Sequence, residues 1–272
     1  GACDTKGSIA AMLTALGRVA RAGRRPVKTE ILFAGLSDEE HGQNGSRTLA
    51  RSGLKADLAI VGEPTRLKVI TAHKGNVWLR LETHGKAAHG AHPELGVNAV
   101  DAMARILRLL DSKYAPRLRR HPHPLLGHAT INVGTIAGGT QPNIVPDHCA
   151  IQIDRRTLPG EDEPGVLRQI RSLLRQHGLR ATLVSVKEAP CPPLQTDSRL
   201  PLVSQFMGAA GQAEPAGVSF FCDAAVLAAG GIPSVVFGPG DIAQAHAADE
   251  WISLRSLERA TDLLTRFLSS LP

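Results

Sequence analysis

The chain has 272 residues, enough for one large core or two smaller ones, and its 43% hydrophobic and 21% charged residues describe an ordinary folded protein. No apolar run reaches membrane-spanning length and no charged-then-apolar leader is present, so no membrane partner is expected. The net charge of +6 includes basic runs at 24–28 and 117–123, but aromatic residues make up only 3% of the chain, too few to interleave with them as base-stacking platforms, so no nucleic-acid partner is expected.

In chain order, Ile9, Met12, Leu13, Leu16 and Val19 recur at helical spacing over 6–23, and Gly23 makes a stop. The runs "TEILFAGL" (29–36) and "ADLAIVG" (56–62) lack polar alternation and read as strands buried on both faces, with a helix near 44–53 between them. Strand, helix, strand in that order predicts parallel α/β layering. "NVWLRLETHG" (76–85) alternates as a half-buried strand, and 96–114 is an amphipathic helix. Strands near 129–137 and 147–155, a helix near 161–176 and a strand near 181–187 complete a β-α-β-β-α-β order, the ferredoxin-like pattern. After the proline-rich "EAPCPPLQTD", α/β character returns, with helices near 200–210, 222–230 and 253–269 and a buried strand at 233–238. The four cysteines (Cys3, Cys149, Cys191, Cys222) show no CxxC spacing, which reads as reduced thiols in a cytoplasmic protein.

Four places set a metal-type ligand at or near the end of an apolar strand: Asp4 in "GACDTKG", Glu39 and Glu40 in "SDEEHG", Glu63 in "VGEPT", and His246 in "AQAHAADE". Ligand sites in parallel α/β sheets form beyond the carboxyl ends of strands. Carboxylates gathered there repel one another unless a cation neutralises them, and mixed oxygen and imidazole donors suit zinc or a similar divalent ion. Singly, each has a plainer reading. Asp4 can cap a helix, the acidic turn can be solvated surface, "GEP" can be turn chemistry, and His246 can be structural. Order and combination favour the metal.

With these motifs the chain resembles the M20 family of di-zinc metallopeptidases and amidohydrolases along essentially its whole length. The resemblance implies that Asp4 bridges two divalent ions, most simply zinc with cobalt or manganese as substitutes. It implies Glu40, Glu63 and His246 as further ligands and Glu39 as the general base that takes a proton from the attacking water. "GKAAHGAHPELGVNAV" resembles the segment whose histidine, here His89, reaches the partner subunit's site in a homodimer and polarises the scissile carbonyl. "GGTQPNIVP" and "IDRRTLP" resemble segments that supply Asn143 and Arg156 for the substrate's acyl and carboxylate groups. The plainer readings are that Asn143 shapes a turn and Arg156 pairs with Asp154. The implied reaction is hydrolysis of an amide bond in an N-acyl amino acid or small peptide bearing a free carboxylate.

Glu63 and His246 can meet only if the block between them loops out. That predicts a discontinuous metal-binding catalytic domain, 1–70 with 188–272, built on a parallel-rich α/β sheet flanked by helices, and an inserted ferredoxin-like lid and dimerisation domain at 71–187. The family's His-x-Asp segment, which lies upstream of "GACDTKG", is not found among these 272 residues. The expectation is therefore part of a longer enzyme that by itself binds at most one metal tightly. A non-catalytic, dimeric binding protein or inactive fragment that keeps the fold is the competing class; phosphoryl transfer has no GxxxxGK[ST] loop to support it.

Overall fold

Ala11, Ala15 and Val19 line one face of helix α1 (Gly7–Arg21) and are buried in a core shared with segments far away in sequence. The computed structural model describes residues 1–23 and 25–272; Arg24, first in the basic run 24–28, lies outside the described residues. The chain forms two compact units, Gly1–His73 with Leu194–Pro272, and Lys74–Pro193. After α1 come α2 (Asn44–Arg51), β1 (Ala59–Val61) and β2 (Ile70–His73). The second unit holds β3 (Gly75–His84), α3 (Ala99–Leu109), α4 (Ala115–Leu118), β4 (Thr130–Gly138), β5 (His148–Thr157), α5 (Glu163–Gln176) and β6 (Thr182–Ser185). The first unit then resumes with β7 (Leu194–Gln195), α6 (Pro201–Ala209), β8 (Ala216–Val218), α7 (Ala224–Ala229), β9 (Ser234–Val236) and α8 (Leu254–Ser269).

The first unit's sheet pairs β1 with β9 and β2 with β8 in parallel, while β2 meets β7 and β9 antiparallel. Because strand side chains alternate, adjacent valines of β9 serve two cores. Val235 packs with Val203 and Phe206 of α6 and Leu263, Leu264 and Phe267 of α8. Val236 packs with Cys222, Ala224 and Ala225 where α7 begins. Phe206 sits at the centre of the first core, 5.0 Å from the Phe237 ring and 4.7 Å from that of Phe267. Truncating such a buried aromatic typically costs about 3–5 kcal/mol.

One strand expectation fails. Residues 29–36 pair with no strand among the described residues, and Leu32, Phe33 and Leu36 are exposed while Ile31 packs partly on the core. An apolar, β-prone run becomes a strand only where a neighbour satisfies its backbone. β1 is likewise half-buried instead of enclosed, because among the described residues β9 is its one partner. The short strands β2, β7 and β8 carry too few residues to show a period, and pattern reading assigns none of them.

The second unit is a four-stranded antiparallel sheet in the order β4-β5-β3-β6, the ferredoxin-like arrangement of β-α-β-β-α-β. Val77, Leu79, Leu81, Ile151 and Ile153 are buried, as are Met103 and Ile106 of α3 and Val166, Ile170 and Leu174 of α5. Asn98 caps α3 by accepting from the Val100 and Asp101 N–H groups, and Asp162 caps α5. Arg155 is fully buried on β5, where its guanidinium meets Glu161 Oε1 at 2.5 Å and donates to Tyr114 Oη at 3.4 Å and to the Arg156 carbonyl. Among the described residues the four cysteines are buried and form no disulfide, and no helix is long and apolar enough to cross a membrane.

Candidate metal centre

Three of the ligand-type residues converge in the first unit. His246 Nε2 lies 2.9 Å from Glu40 Oε1 and 3.4 Å from Asp4 Oδ2, and one ligand atom from each residue falls within 4.8 Å of the others. An imidazole and two carboxylates at that spacing match the donor set of a zinc-type divalent ion.

Each of these ligand-type residues rides on a turn that the sequence shapes locally. Asp4 and Thr5 depart from helical geometry before α1 begins. The turn is pinned where Glu250 Oε1 accepts from the Cys3 and Asp4 N–H groups at 2.6 and 2.7 Å and where Thr5 Oγ1 donates to the Gly62 carbonyl at 2.6 Å. Glu39 and Glu40 lie between two non-glycine residues in the left-handed region, Asp38 (φ 68°) and Gln43 (φ 56°). The Gln43 N–H closes this turn on the Asp38 carbonyl at 2.7 Å, and Asp38 Oδ2 accepts from both nitrogens of Asn44. Gly45 is needed here because a Cβ would come within 2.6 Å of the Ser37 nitrogen. His246 is left-handed too (φ 60°), so strained backbone collects around two of the three ligand-type residues, Glu40 and His246.

Glu63 is placed differently. It follows β1, just as the His246 loop follows the parallel strand β9, yet it belongs to no close three-ligand group among the described residues. It is 6% exposed, and burial first, then the charges of Glu39, Asp4, Asp223 and Glu40, push its carboxyl well above the usual range. Burial and Glu40 raise Asp4, while the hydrogen bond to Glu40 raises His246. This cluster of carboxylates and one imidazole is short of positive charge, which a divalent cation would supply.

His89, Asn143 and Arg156 belong to the second unit. His89 and Asn143 lie side by side on exposed segments: the Gly90 N–H donates to the Asn143 carbonyl at 2.7 Å and that of Val145 to Ala88 at 2.9 Å. Arg156 is partly exposed on β5, paired at 3.1 Å with Asp154, whose other oxygen accepts from Asn76 at 2.9 Å. Sequence reading missed Glu250 and Asp223. Glu250 closes the "AHAADE" stretch and Asp223 stands in "FCDAA", and neither carries a local signal of its role.

Residues 71–182 match a family model described as a peptidase dimerisation domain. Over 98% of its length the chain is 34% identical to an acetylornithine deacetylase of Myxococcus xanthus and 31% identical to one of Klebsiella pneumoniae (strain 342), covering 70% of each relative. Among solved structures, the aminopeptidase PepT of Bacillus cereus superposes with a TM-score of 0.75 at 22% identity, covering 97% of this chain and 70% of that one. An M20 family metallo-carboxypeptidase from Sulfolobus solfataricus gives 0.74 at 20% identity, covering 99% and 76%.

Proposed function

We propose that this chain, which belongs to the M20 family of metal-dependent hydrolases, cleaves the amide bond of an N-acyl amino acid or small peptide that carries a free carboxylate. The observation that carries this reading is the close group of Asp4, Glu40 and His246, with Glu39 next to Glu40 in the same turn. The acetylornithine deacetylase relatives favour an N-acyl amino acid among the possible substrates.

Asp4, Glu40 and His246 would hold one divalent ion, most simply zinc, and Asp4 with Glu63 would contribute to a second. Bound there, the ion supplies Lewis acidity, polarising a carbonyl and acidifying water. Glu39 is one residue from a ligand and among the charges felt by Glu63, so it stands at the site's edge as the base. It takes the proton of the attacking water and returns it to the departing amine, which keeps the leaving group neutral. Asn143 and Arg156 orient the acyl group and the substrate carboxylate, the guanidinium matching the carboxylate's two oxygens. His89 donates to the developing oxyanion across a homodimer. In this reading the unit Gly1–His73 with Leu194–Pro272 is catalytic, and Lys74–Pro193 is the lid and dimerisation domain.

The test is a panel of N-acyl amino acids and dipeptides assayed with added Zn²⁺, Co²⁺ or Mn²⁺. Metal-dependent release of a free amine from at least one is expected. Tight metal binding without hydrolysis of any of them would favour a non-catalytic binding protein instead.

A further inference from the structure

Asp223 lies between β8 and α7 and is 5% exposed. One oxygen, Oδ1, accepts from Ser46 Oγ at 2.7 Å and from Gln43 Nε2 at 3.2 Å. Both donors are buried, and Ser46 Oγ also lies 3.1 Å from the Gln43 carbonyl. They mark the inner end of the turn that carries Glu39 and Glu40. Gln43 is its left-handed closing residue, and Ser46 sits in the first turn of α2. At the turn's outer end the Gln43 N–H bonds the Asp38 carbonyl, Asp38 Oδ2 accepts from Asn44, and Glu40 meets His246. Asp223 reaches over 177 residues of chain to tie the inner end of this turn to the body of the unit.

A carboxylate is an expensive choice for that task. It is buried beside Glu63, whose own carboxyl feels its charge, and a neutral acceptor could satisfy a hydroxyl and an amide at lower cost. Its charge does, however, deepen the negative field that attracts a cation.

We infer that Asp223 is a positioning residue for the metal centre, one that anchors the Glu39–Glu40 turn through Ser46 and Gln43 and so holds Glu40 against Asp4 and His246. The inference rests on the metal-centre reading above. Partners that orient ligands from behind typically change metal affinity about 10–100-fold when removed.

The experiment uses the whole chain with Co²⁺ as the probe, read by chelator competition and by visible absorption, in the parent and in Asp223→Ala, Asp223→Asn and Ser46→Ala. Asp223→Ala is expected to weaken Co²⁺ about 10–100-fold and to alter its absorption bands. Asp223→Asn keeps an acceptor oxygen and should restore the band shape, with affinity between the other two. Ser46→Ala removes the shorter bond from the other side and should shift the bands in the direction of Asp223→Ala, which keeps the question decidable if Asp223→Ala does not fold. Where substrate turnover is measurable, kcat should fall with little change in KM. A parent that binds Co²⁺ while Asp223→Asn and Ser46→Ala match it in affinity and spectrum overturns the positioning role alone. A parent that binds no Co²⁺ overturns the metal-centre reading and this role with it.

Discussion

His246 Nε2 and Glu40 Oε1 stand 2.9 Å apart although 206 positions separate them in the chain. Two turns with left-handed residues make this meeting, and the parallel pairing of β1 with β9 brings the Glu63 and His246 loops to one end of the sheet. The two neighbours Glu39 and Glu40 then have different surroundings, and that difference is measurable. Glu39→Gln is expected to leave metal content unchanged and to lower kcat by about 10²–10⁴-fold, the usual worth of a general base. Glu40→Gln should lose metal. Equal metal loss in both, by elemental analysis, would show that the roles are not divided in this way.

Asp4, Glu63 and His246 all have upward-shifted pKa values, from burial for the two acids and from the bond to Glu40 for the histidine. Raised values mean that the protonated forms favour the metal-free fold. That contribution is complete below the ordinary values of 3.8, 4.5 and 6.5 and is lost as pH rises through the shifted ones. A cation takes the deprotonated ligands, so binding should release protons and tighten with pH. Calorimetry in buffers of different ionisation enthalpy should detect the protons, and the metal-induced rise in Tm should grow from about pH 5.5 to about pH 8. Binding without proton release at the lower pH would contradict the shifts.

In the second unit, Glu161 compensates the guanidinium of the fully buried Arg155 at 2.5 Å. Removing the acid leaves a buried charge unpaired, which costs about 3–5 kcal/mol; because Glu161 keeps 24% of its side-chain surface in water, Glu161→Ala should fall near the low end. Arg155→Met, which removes the charge itself, should be milder. Urea denaturation of the two variants would reverse this order if the pair contributes little.

His89 and Asn143 share one exposed ledge of the second unit, a suitable place from which to serve a partner's site. Mixing inactive His89→Ala with inactive Glu39→Gln should therefore restore part of the activity, since a hybrid dimer contains one site with both residues intact. A protein that is strictly monomeric by light scattering would remove the basis for this prediction.

The amphipathic stripe of α1, the β-α-β-β-α-β order and the four motifs with metal-type side chains are all legible in the sequence, because helical periodicity, strand alternation and acidic residues at the ends of apolar runs are local properties. What the sequence could not determine depends on partners. Residues 29–36 have the composition of a buried strand, but strand formation needs a neighbour's hydrogen bonds, and none pairs with them among the described residues. Glu63 looks equivalent to Glu40 as a motif, yet only tertiary packing decides that Glu40 joins the close group while Glu63 is buried beside it. Asp223 and Glu250 are ordinary acids in sequence; each gains its place by accepting hydrogen bonds from a segment roughly 180 to 250 positions away, Asp223 from side chains and Glu250 from backbone N–H groups, a relationship across the chain that no local pattern encodes.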